Sequence, residues 1–308
     1  MIPKISIALI TYNGEKYIRE QLDSILCQTM QDFEVVVCDD CSTDSTRLIL
    51  TEYAQKDIRI VLNFNEKNLG FLKNIENAIK LCKGEFIALA DQDDIWETEH
   101  LSTLHLNIGD NLLICGDTLL VDEEGNSLNF RFSQMLMIDI NLLKNNNEHL
   151  LRLLIMDNIF QGAAMMFNRK IIDMALPFPN GIEYHDIWLA LCAMALNKFI
   201  YIPVVIIKHR RHSVNCSPSL NWKSHQKDGR FRYKMEYITS LKRLPLNEDS
   251  RQIIEGAENF FLNKKKWHKK HKAIIFWARN YKILYAANNM NRFLIRFFKA
   301  FFKYRNLK

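Results

Sequence analysis

The chain has 308 residues, of which 48% are hydrophobic and 25% charged, with a net charge of +6. That suffices for a large core in one or two domains. The start of the chain lacks the charged, apolar and small-residue regions of a signal peptide, and no uncharged apolar stretch reaches the ~18–20 residues of a bilayer-spanning helix. The expectation is therefore a cytoplasmic protein that does not span a membrane. Seven cysteines, an odd number scattered through apolar segments, suit buried thiols better than a disulfide framework. Cys38 and Cys41 have the spacing of a redox or zinc pair, but no second pair follows at zinc-ligand spacing. Charge is uneven: residues 259–308 hold fourteen Lys or Arg and no Asp or Glu, so the first 258 residues carry −8.

In chain order, Ile5–Ile10 reads as a strand, and Ile18, Leu22, Ile25 and Leu26 recur at helical spacing before a second strand, Phe33–Cys38. Ser42 is a plausible N-cap for a helix through Tyr53, and Arg59–Leu62 is a third strand. Phe71, Ile75, Ala78, Ile79 and Cys82 share one face of a helix that stops at Lys83-Gly84, and Phe86–Ala90 is a fourth strand. Leu112–Gly116 and Ile200–Ile206 are further strands, with an apolar helical segment from Ile187 to Ala195 between them. Strands alternating with helices predict an α/β chain with a doubly wound, mostly parallel sheet, whose ligands lie beyond the carboxyl ends of the strands.

The residues at those ends are Thr11-Tyr12-Asn13, Asp39-Asp40-Cys41-Ser42 and Asp91-Gln92-Asp93-Asp94. Carboxylates gathered at the mouth of a sheet repel one another and lose hydration unless a cation or ligand donors compensate. Mg2+ or Mn2+ with a nucleoside diphosphate would do so, since hard cations share oxygen ligands with phosphates. Helix capping is the competing explanation and suits Ser42 and Asp44, but the three carboxylates of residues 91–94 exceed what one cap uses.

Ile5–Asn13, Val36–Asp44 and Asp91-Gln92-Asp93-Asp94-Ile95-Trp96 together resemble the family 2 glycosyltransferases of the GT-A fold, over about residues 3–217. Asp91–Trp96 and Tyr184-His185-Asp186-Ile187-Trp188-Leu189-Ala190 resemble the rhamnosyltransferase-like branch that builds bacterial surface polysaccharides such as O-antigen and capsule. The resemblance implies a catalytic domain over 1–220, with a nucleotide-sugar half to about 117 and an acceptor half over about 118–220, and a helical, basic extension over 221–308. It puts Thr11, Tyr12 and Asp40 in the nucleotide pocket, Tyr12 near the base and Asp40 accepting a base N–H, with Asp39, Asn13 and Gln92 beside them. Asn68, Gly70 and Asn74 match a segment flanking the base, although an ordinary loop-to-helix turn accounts for Gly70 equally well. Asp91 falls near the ribose and donor, and Asp93 is the protein ligand to the metal, with Asp91 beside it. Asp94 stands between a supporting role and capping the next helix.

Asp117 and the segment Gln161–Asn168 are implied on the donor and acceptor sides respectively. Asp186 falls where the family has its general base, taking the acceptor hydroxyl proton with inversion at the anomeric carbon. His185 replaces the acidic residue of many relatives, and a carboxylate that only favours the helix dipole is the alternative for Asp186. Arg210 and His212, within His209–Asn215, are the cations expected at the leaving diphosphate, with a solvated basic loop as the alternative.

In the tail, Phe293, Leu294, Phe297, Phe298, Phe301 and Phe302 sweep half a helical turn opposite Arg292, Arg296, Lys299 and Lys303. With Lys264–Lys266, Lys269, Lys270 and Lys272 upstream, this predicts peripheral attachment to an anionic membrane surface on its inner face. A homo-oligomer contact is the next reading, and nucleic acid is not expected. The expected partners are a nucleotide-diphosphate sugar donor and a glycan or lipid-linked oligosaccharide acceptor. A sugar nucleotidyltransferase should show a glycine-rich phosphate loop where Thr11-Tyr12-Asn13-Gly14 stands. A non-catalytic nucleotide-sugar-binding scaffold stays open.

Overall fold

The computed structural model describes residues 2–135, 146–156, 160–212 and 230–263. Nine strands form one sheet: β1 (Ile5–Thr11), β2 (Phe33–Asp39), β3 (Ile60–Phe64), β4 (Phe86–Ala90), β5 (Ile95–Trp96), β6 (Leu113–Val121), β7 (Ser127–Arg131), β8 (Met165–Asn168) and β9 (Phe199–Arg210). Their order is β3-β2-β1-β4-β8-β6-β9-β5, with β7 pairing β6. β1, β2 and β4 are buried along their whole length. Strands covered by helices on both faces need apolar side chains at every position, which is why they read as continuous apolar runs rather than alternating ones. The first four strands are parallel, and β8 enters antiparallel to both β4 and β6.

The helices are α1 (Ile18–Leu26), α2 (Thr46–Lys56), α3 (Phe71–Leu81), α4 (His100–Ile108), α5 (Phe132–Met135), α6 (Asn147–Met156), α7 (Ile172–Ala175), α8 (His185–Ala195), α9 (Arg230–Leu241) and α10 (Glu248–Asn263). α1 buries Ile18, Leu22 and Ile25, and α3 buries Ile75, Ala78 and Ile79, the stripes that their spacing predicts. α9 and α10 pack into the same core as the sheet, through Tyr237, Ile238, Leu241, Ile253, Ile254 and Ala257. The Tyr237 hydroxyl accepts from the Glu183 and Tyr184 amides at 3.2 and 3.0 Å, just before α8.

Three boundaries differ notably from the sequence expectation. α2 begins at Thr46, not after Ser42, because the Ser42 hydroxyl turns back to Asp39 and it is Asp44 that accepts the Thr46 amide, at 3.0 Å. β6 runs on through Asp117 to Val121, and β9 runs to Arg210 instead of ending at Ile206, because each extends the other: Thr118 pairs Ile207, Leu120 pairs His209 and Val121 pairs Arg210. Polar residues interrupt both apolar runs, yet the ladder continues, with a register shift on each side of Asp117.

The parallel register aligns Thr11 with Asp39 and Leu9 with Ala90. The loops after β1, β2 and β4 therefore leave the sheet along one edge.

Candidate active site

That edge is built from the inside outward. Asp39 is fully buried, and its carboxylate accepts from Thr11 Oγ1 at 2.9 Å, the Ser42 amide at 3.0 Å, Arg47 Nε at 2.5 Å and the Ser42 hydroxyl. Four donors satisfy a buried charge and lock the first two loops together. Asp40 collects the next loop, accepting from the Leu69 and Gly70 amides at 2.7 and 2.9 Å and from Asn65 Nδ2 at 2.9 Å. Gly70 sits at φ 79°, a left-handed conformation that glycine adopts at least cost. Asn68 Nδ2 donates to the Asp40 carbonyl, and Asn74 accepts from Asn65 while donating to the Cys38 carbonyl. Thr11, Asp39, Asp40, Asn68, Gly70 and Asn74 are thus one hydrogen-bonded unit. Asn65 and Arg47 join it without any motif having marked them.

Tyr12 is 50% exposed, and its backbone is clasped by Gln92, which accepts from the Tyr12 amide at 2.8 Å and donates to its carbonyl at 3.1 Å. Asn13 lies beside it at φ 50°, its amide donating to Ser42 Oγ and its side chain accepting from the Thr43 amide. The Tyr12 ring is thereby presented at the mouth of the site on a fixed backbone.

The acidic loop after β4 meets the extension of β9. Asp94 Oδ1 pairs with His209 Nδ1 at 2.8 Å, and Asp93 Oδ2 with His212 Nε2 at 2.8 Å. Burial opposes charge on His209, but the Asp94 carboxylate outweighs it and pulls the imidazole above its ordinary range. Burial pushes the Asp91 carboxyl well above the usual carboxylate range, reinforced by Asp94 and then Asp93, opposed by His209 and reinforced again by Asp186. Asp186, in the first turn of α8, is thus among the charges felt at Asp91, although the two lie 95 positions apart in sequence.

His185 is buried between the Phe71 and Phe178 rings, at centroid distances of 5.2 and 6.5 Å, and burial lowers its pKa, so it is neutral. Gly162 passes close by: a Cβ there would lie 3.0 Å from His185 Nε2 and 3.3 Å from Asp186 Cβ. A side chain at Gly162 would require the start of α8 to give way by a few tenths of an ångström. Asp117 is buried and accepts from the Thr118 amide at 2.9 Å and from Ser133 Oγ at 2.7 Å, tying β6 to α5.

Arg210 differs from the expectation of a cation turned toward a diphosphate. Its side chain is 2% exposed and donates to the Asp93 and Glu123 carbonyls at 3.1 and 2.7 Å and to the Glu20 carboxylate. Extension of β9 carries it inside the fold. Ser213, Val214 and Asn215 of the same segment lie outside the described residues, as do all residues after 263.

Among the described residues no three potential ligand side chains close on one point. The pair that could hold a divalent ion is Asp93 with His212. Two cis ligands on an octahedral ion with bonds of ~2.1 Å lie roughly 3 Å apart, close to the 2.8 Å separation of Asp93 Oδ2 and His212 Nε2. An entering cation would displace the shared proton. The mixed oxygen and nitrogen set suits Mn2+ better than Mg2+.

A doubly wound sheet with polar loops gathered at the carboxyl ends of its strands defines an α/β class of protein whose ligands lie at that edge. The family model for glycosyl transferase family 2 matches residues 6–174, and the chain belongs to that family. An uncharacterized glycosyltransferase of Methanocaldococcus jannaschii is 35% identical over 131 residues, covering 41% of this chain and 45% of that protein. The Escherichia coli UDP-Glc:alpha-D-GlcNAc-diphosphoundecaprenol beta-1,3-glucosyltransferase WfgD is 38% identical over 92 residues, 30% of this chain and 36% of its own. The chain thus spans under half the length of these relatives. S. aureus TarS 1–349 in complex with UDP superposes with a TM-score of 0.58 at 19% identity, covering 96% of this chain and 78% of that one. The Pyrobaculum calidifontis mannosyltransferase PcManGT in complex with GDP-Man and Mn2+ gives 0.57 at 18%, covering 99% and 82%. The fold is the GT-A fold.

Proposed function

We propose that this chain is an inverting, divalent-metal-dependent glycosyltransferase that moves a sugar from a nucleoside diphosphate to a hydroxyl of a glycan or lipid-linked glycan during bacterial surface-polysaccharide assembly. The observation that carries this is the acidic loop after β4, where Asp93 meets His212 at 2.8 Å and Asp186 adds to the negative field at Asp91. Asp186 takes the proton from the acceptor hydroxyl as that oxygen bonds to the anomeric carbon and the carbon–phosphate-oxygen bond breaks on the opposite face. When bound at Asp93 and His212, the cation supplies Lewis-acid neutralisation of the departing diphosphate. Asp91, on the same loop, lies toward the donor ribose. The Tyr12 ring and the unit around Asp40 hold the nucleoside, and Gln92 keeps Tyr12 in place.

The activity of WfgD, on a diphosphate-linked lipid acceptor, supports a lipid-linked acceptor here. The sugar moved is a hexose or a deoxyhexose, the latter in keeping with the rhamnosyltransferase-like form of Asp91–Trp96 and Tyr184–Ala190. The test is release of nucleoside diphosphate from a panel of UDP-, GDP- and dTDP-sugars with Mn2+. One donor of the panel should turn over and lose turnover on chelation. Release from none of them, with the protein folded and Mn2+ bound, would leave a scaffold in place of an enzyme.

No helix among the described residues is long and apolar enough to cross a membrane. The fourteen Lys and Arg of residues 259–308, with the phenylalanines among them, support peripheral attachment to the inner face of the cell membrane. α10 reaches Asn263 and buries Ala257, so the cut that spares the core falls after 263. Deleting 264–308 should release the protein from anionic vesicles in a sedimentation assay while donor hydrolysis persists, and added salt should weaken binding of the full chain. Retention of the truncated protein on vesicles, or a full chain that ignores vesicles but self-associates, would make the tail an oligomer contact.

A further inference from the structure

Tyr17 stands immediately before α1 and is buried, yet it lies outside the main apolar core. Its surroundings are charged. The ring stacks on the His212 imidazole with centroids 4.8 Å apart and planes 30° from parallel. The Arg210 guanidinium lies 5.0 Å from the ring centroid and the Lys16 ammonium 5.1 Å. The Tyr17 hydroxyl donates to Glu123 Oε1 at 2.9 Å, and Lys16 pairs with the same carboxylate. Arg210 meanwhile grips the Glu123 carbonyl, the Glu20 carboxylate and the Asp93 carbonyl. The ring that touches His212 is therefore fixed at its hydroxyl by the loop 122–126, and the arginine beside it fixes the backbone of Asp93.

We infer that Tyr17, anchored by Glu123 and flanked by Arg210, is a positioning residue that holds the His212 imidazole edge-on to Asp93 and so sets the affinity of that pair for a divalent cation. An imidazole joined to its backbone by two single bonds would otherwise rotate, and each rotamer excluded before the ion arrives is entropy that binding need not remove. Groups that orient a ligating histidine alter metal affinity by about 10- to 100-fold when removed. This rests on the reading of Asp93 and His212 as the ion-holding pair. Two features favour orientation over packing alone. An aliphatic residue would fill the apolar part of the niche, yet the residue present has a ring matched to an imidazole face and a hydroxyl matched to a carboxylate. That carboxylate belongs to an exposed loop, where it contributes nothing to the core.

The test is titration of the full chain with Mn2+ alone, following free ion by electron paramagnetic resonance, in wild type, Asp93→Ala, Tyr17→Leu, Tyr17→Phe and Glu123→Ala, with circular dichroism for folding. Tyr17→Leu should weaken Mn2+ binding about tenfold or more. Tyr17→Phe keeps the stack but loses the bond to Glu123, so it and Glu123→Ala should fall alike between wild type and Tyr17→Leu. A role in packing alone would lower the melting temperature of Tyr17→Leu and leave Mn2+ affinity unchanged, which overturns the inference. Should Tyr17→Leu not fold, Glu123→Ala decides on its own: at an exposed site it leaves the fold intact, and wild-type Mn2+ affinity in it overturns the inference. If Asp93→Ala also binds Mn2+ as wild type does, the ion-holding reading itself fails. Loss in Asp93→Ala with no change in the Tyr17 and Glu123 variants removes only the positioning role.

Discussion

Asp186→Asn should lower sugar transfer by about 100- to 10,000-fold while leaving donor affinity within about threefold. The amide is nearly isosteric and can still accept from the Ile187 amide, which Asp186 Oδ1 meets at 2.8 Å, so the start of α8 is preserved. What disappears is the capacity to take a proton from the acceptor hydroxyl. Because that proton moves only as the new bond forms, the loss should fall on kcat and not on donor binding. Steady-state rates with a turning-over donor, together with donor binding by calorimetry, separate the two. A rate within threefold of wild type would assign the base elsewhere and leave Asp186 as a helix N-terminal carboxylate. Gly162 offers an independent view of the same place. Any side chain there would push against His185 and Asp186.

Asp93→Ala should abolish the Mn2+ dependence of turnover and lower the rate by about 100- to 1,000-fold, the range seen when one preorganised electrostatic group is removed from a transition state. The Asp93 side chain is 15% exposed and its Oδ2 is committed to His212, so the substitution removes half of the ion-holding pair and leaves the imidazole alone. Chelation of wild-type enzyme should reproduce the defect, and chelation of the mutant should add nothing to it. Activity that still rises with Mn2+ in the mutant would sink the assignment. Asp94 would answer differently. Its pairing with buried His209 is internal, so Asp94→Ala should unfold the protein more readily, because it leaves the buried imidazole without its hydrogen-bond partner.

The two halves of the site were unequally legible in sequence. The loops after β1, β2 and β4 could be read because apolar runs announce buried parallel strands, and ligand-facing residues follow such strands at once. Asp93 stood out for the same reason, while Asp186 was marked by the resemblance to the family. The helices α9 and α10 carried no such mark of belonging to the catalytic core. Their amphipathic stripes show only that something covers them, and it is the packing of Tyr237 against Glu183 and Tyr184 that names the partner.

Composition, periodicity and motif order by themselves determined the α/β class, the alternation of strand and helix, the sheet edge to inspect and the family. Tertiary structure decided which of the polar residues at that edge face inward. Asp39 and Asp40, adjacent in sequence, become an internal lock and the anchor of the Asn65–Gly70 loop. Arg210, read as a cation for a diphosphate, is drawn inside by β9 and spent on Glu20 and two carbonyls, while His212 lands on Asp93. The reason is range. Hydrophobic periodicity is written in windows of about ten residues, whereas the pairs that fix these side chains join positions 190 and 119 residues apart, and a charge buried by such a pair looks in sequence like any charge in a loop.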